Sequence, residues 1–202
     1  WGHEFTISSK NTTGTVKWTT DLNISFNDNK VVALSEGVDK IYGGQNGYAT
    51  LTKVGQRVGQ FWGLEQVGVY ATQADFDSSP KAAASQLGTI KFRDVNGDGR
   101  ITYGGDNDDR TNIGNPFPRS VFGLTNIVRY NNFDFTVLLS GTYGNSVAVM
   151  TDQGTTNLDG VFNVLKDVKD RWRSEQKPGA GKYGKTTSAT GNERDWFHTR
   201  FI

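Results

Sequence analysis

The stretch "TVKWTTDLNISFN", residues 15–27, alternates apolar and polar side chains almost without interruption. One face would carry Val16, Trp18, Thr20, Leu22, Ile24 and Phe26, and the other Lys17, Thr19, Asp21, Asn23 and Ser25. Alternation sustained over about eleven residues predicts one long strand. Globular strands are mostly about five or six residues long. Strands of membrane barrels need about nine to eleven, apolar towards lipid and polar towards the lumen.

Further strands are predicted around this stretch. Residues 121–130 and 133–144 form a hairpin candidate joined by the two-residue turn Asn131-Asn132. The second arm carries on one face Phe133, Phe135, Val137, Leu139 and Tyr143. Directly after the opening stretch, "NDNK" at 27–30 predicts a tight turn, and "VVAL" at 31–34 predicts the start of a return strand.

The remaining segments are less regular. Residues 37–60 predict a loop with a short hairpin, and 60–73 predict another strand. Residues 78–88 predict a short helix opened by a proline. Residues 161–172 predict an amphipathic helix, since apolar side chains recur at helical spacing. These side chains are Val161, Val164, Leu165, Val168 and Trp172.

Composition excludes several classes of protein. A net charge of +1 gives no electrostatic case for nucleic acid binding. The absence of cysteine excludes a disulfide scaffold and a thiolate zinc site. No apolar run reaches about 18 residues, so no transmembrane helix is expected, whereas alternating barrel strands escape this criterion. The chain begins inside the strand-like segment "WGHEFTISSK" without a signal peptide, which indicates a mature piece or fragment.

The acidic segment "DVNGDGRITYGGDNDDR", residues 94–110, resembles the first half of a calcium loop. Calcium needs six to eight oxygen ligands, which closely spaced carboxylates and carbonyls supply. The predicted ligands are the side chains of Asp94, Asn96 and Asp98, the carbonyl of Arg100, and a closing acid from Asp106, Asp108 or Asp109. The twelfth position of the loop, which should be acidic, is Gly105. A solvated loop whose Asp and Asn side chains cap their own backbone is the open alternative.

No catalytic motif stands out. The sequence has no G-x-S-x-G, H-E-x-x-H, P-loop or Rossmann fingerprint. The two histidines, His3 and His198, are expected to be exposed or locally bonded. Acidic pairs such as Asp108 and Asp109 lack a spacing that would indicate a glycosidase. We therefore expect a protein that is not an enzyme.

Four stretches resemble a known family. They are "WTTDLNISFNDNKVVAL" (18–34), "VGQRVGQFWGLEQVGVY" (54–70), "GTIKFRDVNGDGRIT…DDRTNIGNPFP" (88–118) and "YNNFDFTVLLSGTYGN" (130–145), followed by "DRW". In order and spacing they are similar to the C-terminal β-barrel part of SusC/RagA-type TonB-dependent outer-membrane transporters of Bacteroidetes. Together they span nearly the whole chain, and the third is the most specific.

The resemblance implies an all-β fold, a fragment of a large antiparallel transmembrane barrel of about 22 strands. Residues 1–202 would be part of that barrel, without the plug domain and the final strands. Long extracellular loops would hold short helices. The short turns at 27–30 and 131–132 would face the periplasm, and the segments 74–119 and 145–202 would face outwards.

The resemblance also implies a function. The transporter would import glycans or peptides across the outer membrane, with a SusD-like surface lipoprotein and energy from the TonB complex. Outer-membrane lipid would surround it, and Lys17, Asp21 and Asn23 would face the lumen. In the family the calcium-like loop ends in an acid, which Asp109 matches across an insertion of about four residues. Two alternatives remain: a secreted, calcium-stabilised β-sandwich that binds carbohydrate, and a surface hydrolase.

Overall fold

The computed structural model describes residues 1–44, 49–156, 163–186 and 196–202. The strands in chain order are β1 Gly2–Thr13, β2 Val16–Asn27, β3 Lys40–Gly43, β4 Thr50–Lys53, β5 Gln60–Gly63, β6 Gln66–Val69, β7 Ile90–Phe92, β8 Thr111–Gly114, β9 Ser120–Tyr130 and β10 Phe133–Tyr143. Short helices are α1 Gln73–Ser78 and α2 Asp152–Thr155, with 3-10 turns at Lys166–Asp170 and Thr199–Phe201. None of the helices in these ranges has the length and apolar character needed to cross a membrane.

The chain divides into two structural units. The first consists of Trp1–Asp39, Lys53–Val58 and Asn115–Ser146. The second consists of Lys40–Thr52, Gly59–Gly114 and Val147–Ile202.

The first unit is built on a four-stranded antiparallel sheet in the order β1-β2-β9-β10. Its strands are 11 or 12 residues long, about twice the usual globular length. The predicted long strand at 15–27 is therefore confirmed as β2. The predicted hairpin is confirmed as β9 and β10, and Asn131 in its turn has φ of 50°, a conformation that asparagine tolerates.

The register of the paired strands shows at which end of the sheet each connection lies. Val16 pairs with Tyr130, so the β1–β2 turn and the β9–β10 turn lie at one end of the sheet. Phe26 pairs with Ser120, and Ser120 pairs with Tyr143, so the long connection 28–119 begins and ends at the other end. Residues 27–30 therefore open that connection, and the prediction of a tight turn there, on the same side as 131–132, is wrong.

The return strand predicted at 31–34 is also wrong. Both edges of β2 are taken, one by β1 and one by β9, so no edge is left for residues that follow it directly. Val31 instead donates its N–H to the carbonyl of Gln56 at 2.8 Å and accepts from the N–H of Gly55 at 2.8 Å.

The second unit contains short strands and small hydrophobic cores, of which two are larger than a single pair of buried side chains. Its sheet has the order β3-β4-β5-β8, and β6 pairs with β7 separately. β3 and β4 are neighbours in this sheet, as a short hairpin within 37–60 would require, and their connection includes residues 45–48, which lie outside the described residues. One core consists of Leu64, Ala82, Ile90, Phe92 and Ile101, and the other of Phe61, Phe197 and Phe201.

The strand predicted over 60–73 is two strands, β5 and β6, in different sheets. The chain changes partner at Leu64, which is fully buried and donates its N–H to the carbonyl of Phe197 at 2.9 Å. Tertiary pairing thus divides a segment that looks continuous in sequence.

Both helix predictions need correction. The helix predicted at 78–88 is wrong, because no helix begins at Pro80. Helix α1 ends at Ser78, before the proline, and the Thr72 side chain caps its N-terminus by accepting from the N–H of Asp75. Residues 163–172 form only the 3-10 turn Lys166–Asp170. Val168 is buried there against Tyr183, whereas Val164 and Leu165 are exposed, so these residues do not share one packed face. Val161 lies outside the described residues.

Candidate functional site

One face of the β1-β2-β9-β10 sheet is a continuous apolar surface. The register aligns Ile7, Leu22, Leu124 and Leu139 in a row across all four strands. Large side chains on this face remain exposed: Phe135 at 65% and Tyr143 at 73%. A sheet in a water-soluble sandwich would bury this face in a core. Exposure of such a surface marks a site of contact with lipid or with another protein.

Aromatic side chains flank the aliphatic row at both ends of the sheet. Near the tight turns these are Trp18, Tyr130, Phe133 and Phe135, and near the long connection Phe26, Phe122 and Tyr143. An apolar band between two aromatic girdles is the outer surface of a membrane β-barrel. Eleven residues rise about 36 Å, and a tilt of about 45° reduces this to about 25 Å, the height of that band.

Polar groups on the apolar face satisfy one another. The Trp18 indole N–H donates to Asn126 Oδ1 at 3.1 Å, and the Thr20 hydroxyl donates to the same oxygen at 2.7 Å. Unpaired polar groups are costly in hydrocarbon, so this pairing suits a lipid-facing surface.

The opposite face of the sheet is mostly polar, with Val121, Ile127 and Leu138 as apolar exceptions. Alternation places Lys17, Asp21 and Asn23 on it, as predicted for lumen-facing residues. Arg129 and Asp134, which pair in register, form an ion pair at 3.2 Å on the same face. Contact of these side chains with a transported solute stays a prediction.

The acidic loop is held by hydrogen bonds from its own backbone. Asp94 accepts from the N–H groups of Gly97 and Gly99 at 2.6 and 2.8 Å. Asn96 Oδ1 accepts from the N–H of Asp98 at 2.8 Å, and Asp98 Oδ1 from the N–H of Arg100 at 2.8 Å. These are Asx-type turns, in which Asp and Asn side chains cap their own backbone, as expected if the loop is solvated and holds no ion. Gly97 and Gly99 adopt the positive φ that such tight turns favour.

Asp109 closes this loop. It is fully buried, and its two oxygens accept from the N–H groups of Val95 and Thr102 at 2.9 and 2.7 Å. Resemblance to the family motif pointed to Asp109 among the three possible closing acids, and the structure places its carboxylate against the beginning and the middle of the loop.

The predicted metal ligands do not form a preorganised metal-binding site. Across the described ranges, no three acidic or histidine side chains gather in a way that would hold a metal ion. The carboxylates of Asp94, Asp98 and Asp109 already accept from backbone N–H groups. The loop is therefore braced by its own hydrogen bonds, and calcium binding stays a prediction.

A partly buried ion pair is formed by Asp108 and Arg110, the two neighbours of Asp109 in the chain. The Arg110 guanidinium donates to Asp108 through Nε at 2.9 Å and through Nη2 at 2.8 Å. Burial raises the pKa of Asp108, but hydrogen bonds from Arg110 and from the Gly104 N–H outweigh it, so the pKa lies below its ordinary value. The guanidinium also lies over the rings of Tyr42 and Tyr103.

His198 is not exposed, but the alternative of a locally bonded histidine is confirmed, because its Nδ1 accepts from the backbone N–H of Arg200 at 3.4 Å. His198 is fully buried, and its ring lies 4.4 Å from that of Phe201 and 5.4 Å from that of Phe92, measured between centroids. His3 is exposed, as expected. Phe201 is only three residues away in sequence, whereas Phe92 comes from a distant part of the chain, which local sequence does not reveal.

Sequence relatives agree with this architecture, although no protein-family model matches the chain. The TonB-dependent receptor P26 of Formosa agariphila is 32% identical over 181 residues, which cover 86% of this chain and 18% of that receptor. The TonB-dependent receptor SusC of Bacteroides thetaiotaomicron is 27% identical over 175 residues, which cover 81% of this chain and 16% of SusC. The chain thus spans less than a fifth of the length of the curated relatives it matches.

A solved structure of the RagAB peptide transporter shares the fold. It matches with a TM-score of 0.70 at 14% identity, over 94% of this chain and 20% of that chain. The likeness supports an antiparallel barrel segment that is not closed on itself. The relatives are receptors and transporters, which agrees with the expectation that the chain is not an enzyme.

Proposed function

Because the chain belongs to the SusC/RagA-type TonB-dependent receptors, which are outer-membrane proteins of Bacteroidetes, we propose that it forms barrel wall and outer loops of a nutrient transporter. The cargo is a glycan or a peptide fragment. The exposed apolar face of β1-β2-β9-β10 is the observation that carries this proposal, because in a transporter it contacts lipid.

The two faces of the sheet have separate tasks in this proposal. The apolar face anchors the wall in the bilayer, and the polar face with Lys17, Asp21 and Asn23 lines the lumen. The long connection 28–119 and the segment after β10 leave the sheet at one end, which we assign to the cell exterior because barrel loops are long outside and short inside.

The partners follow from the same assignment. A SusD-like surface lipoprotein covers the outer opening, and the TonB complex supplies energy through a part of the transporter outside residues 1–202. The structure of RagAB, described as a peptide transporter, supports a two-component assembly of this kind. Co-purification of a surface lipoprotein with the full-length transporter tests the partner. Purification of the transporter alone from native membranes under mild detergent would contradict it.

The lipid-facing assignment is tested by two single-cysteine variants. Residues 1–202 contain no cysteine, and any cysteine elsewhere in the full-length transporter is first replaced by serine. Leu139 and Ser140 are neighbours on opposite faces of β10. We expect a bimane label on Leu139→Cys to be quenched by bromine-labelled lipid in reconstituted full-length transporter. The same label on Ser140→Cys should be protected. Equal quenching at both positions, or release of the native protein into buffer without detergent, would overturn the proposal.

The β-sandwich alternative is less well supported. A sandwich packs the apolar faces of two sheets against each other. Here Trp18 and Phe26, which a sandwich would bury, are 41% and 40% exposed. Their exposure favours a membrane surface.

A further inference from the structure

The dipeptide Asn96–Gly97 in the acidic loop has a chemistry of its own, separate from bracing and from calcium binding. The backbone nitrogen that follows an asparagine can attack the side-chain amide, and it does so most easily in glycine, which has no Cβ to block the approach. The sequence contains this dipeptide at 46–47 and at 96–97, and the first lies outside the described residues. Asn96 and Gly97 are both exposed, so water reaches them.

A carboxylate lies beside the nitrogen that would attack. The backbone N–H of Gly97 donates to Asp94 Oδ1 at 2.6 Å. This distance is within the range of about 2.6–3.2 Å over which a general base takes a proton. The other oxygen of Asp94 accepts from the N–H of Gly99 at 2.8 Å, which holds the carboxylate in place.

The carbonyl group under attack has a hydrogen-bond donor. Asn96 Oδ1 accepts from the backbone N–H of Asp98 at 2.8 Å. A fixed N–H at this distance polarises the carbonyl and stabilises the negative charge that develops on its oxygen, as the donors of an oxyanion hole do at about 2.7–3.1 Å. The turn that begins at Asn96 therefore makes its own side chain a better electrophile.

The surroundings of the dipeptide leave room for the reaction. Gly97 has φ of 77°, and no atom lies within 4 Å of the position that a Cβ on it would take. Asn96 Nδ2, the nitrogen that would leave, donates to the carbonyl of Asn107 at 3.0 Å. The loop thus places a nucleophile, a base and an oxyanion donor around one exposed asparagine.

We propose that Asn96 is a deamidation site whose reaction the loop itself promotes. Asp94 takes the proton from the Gly97 nitrogen as this nitrogen bonds to Cγ of Asn96. The Cγ–Nδ2 bond then breaks, Asp94 returns the proton to the departing nitrogen, and ammonia leaves behind a five-membered succinimide ring. One water molecule opens the ring at either carbonyl and gives aspartate or isoaspartate at position 96.

Deamidation changes the charge of the acidic loop. An aspartate at position 96 adds one negative charge between Asp94 and Asp98, at a position where a calcium-type loop carries a ligand. An isoaspartate instead adds a methylene group to the backbone, which disrupts the turn closed by the Asp98 N–H. The loop therefore exists in different chemical forms in new and in aged protein. This inference does not depend on transport.

The test compares the deamidation of position 96 in the folded full-length transporter, in detergent, with that in a free peptide of residues 91–102 in the same neutral buffer. Trypsin cleaves after Arg93 and Arg100, so the fragment "DVNGDGR" reports on Asn96 alone by mass spectrometry. We expect the transporter to react at least about tenfold faster, because a positioned base contributes about 10²–10⁴-fold. Restraint by the fold alone would make it slower than the peptide.

Two variants separate the base from the rest of the loop. Asp94→Asn keeps an oxygen for the Gly97 N–H but cannot take the proton, so the rate should fall to that of the free peptide or below. Asp106→Asn removes an exposed charge in the same loop, lies in another tryptic fragment and should leave the rate unchanged.

The pH profile gives a readout that needs no variant. Across the neutral range the wild-type rate should stay nearly constant, because a carboxylate remains ionised there, whereas the rate in the free peptide rises with hydroxide. This profile distinguishes a base from a merely structural carboxylate even where Asp94→Asn loosens the loop.

Several results would overturn the proposal. A rate in the transporter that is equal to or lower than that in the peptide would show that the loop protects Asn96. An unchanged or faster rate in Asp94→Asn, or an equal loss in Asp106→Asn, would remove the base. Each result leaves the transport proposal intact, which is judged separately by the labels at Leu139 and Ser140.

Discussion

The buried carboxylate of Asp109 accepts a hydrogen bond from the backbone N–H of Thr102 at 2.7 Å, across seven residues of the acidic loop. Its other oxygen accepts from the N–H of Val95 at 2.9 Å. The Asp109 N–H returns a bond to the Thr102 carbonyl at 3.0 Å. Asp109 thus joins the beginning of the loop to its second half, the task that a twelfth-position acid performs through an ion in a calcium loop.

Replacement of Asp109 by asparagine should loosen the loop. The amide group turns one acceptor into a donor, which then faces a backbone N–H in a buried site. A buried donor without a partner costs about 1–3 kcal/mol. We expect faster hydrogen exchange over residues 94–102 in the full-length protein, measured by mass spectrometry. Asp106→Asn, an exposed change in the same loop, is the control. Equal exchange in the two variants would contradict the bracing role.

The Asp108–Arg110 pair predicts a loss of local stability in acid. Because the pKa of Asp108 is lowered in the folded state, its stabilising contribution is complete above the ordinary aspartate pKa of about 3.9. It is lost as the pH falls through the lower folded value. We expect the protection of the Gly104 and Arg110 N–H groups, which Asp108 accepts from, to decrease below about pH 4.

The variant Asp108→Asn isolates this effect. Its protection should be lower than that of the wild type at pH 6, and the difference should shrink as the pH falls and the wild-type carboxylate is protonated. Comparison of wild type and variant at each pH removes the intrinsic pH dependence of exchange. A difference that stays constant from pH 6 to pH 3 would show that ionisation of Asp108 contributes nothing.

The transmembrane sheet could be predicted from sequence because its signal is local. In β2 and β10 every second side chain lies on the apolar face, so the alternation is visible in the residues themselves. The same local reasoning failed at Leu64, where a contact with Phe197 divides the predicted strand. An element could be predicted where nearby residues determine it. It could not be predicted where a contact with a distant part of the chain determines it, however regular its hydrophobic pattern.

The candidate sites also divide into those that local sequence could predict and those that it could not. Asp94 and Asp98 form turns with residues two to five positions ahead, so their placement follows from spacing. Helix α1 was not predicted, although Thr72 and Asp75 have the spacing of an N-cap. The burial of His198 could not be predicted, because its ring packs on that of Phe92, more than a hundred residues away in the chain. No local pattern links these two positions.

Calcium binding by the acidic loop is a separate prediction. The sequence places an ion near oxygens of Asp94 and Asp98, at about 2.3–2.6 Å, the usual calcium range. A crystal structure of the full-length transporter grown with millimolar calcium checks this through the anomalous signal at the loop. Asp94→Ala should remove the signal. An ordered loop without an ion under these conditions would leave bracing by hydrogen bonds as its whole role.

Arginine substitutions on β10 should differ sharply between its two faces. Leu139 lies in the aliphatic row with Leu22 and Leu124, midway between the aromatic girdles. Leu139→Arg places a charge in the hydrocarbon, which destabilises a barrel by about 2–4 kcal/mol near the bilayer midplane. Ser140→Arg, one residue further, faces the lumen and should change stability little. Urea unfolding of the full-length transporter in lipid vesicles measures both. Equal destabilisation would mean that the apolar face is covered by protein, because only direct contact with lipid separates the two substitutions by this margin.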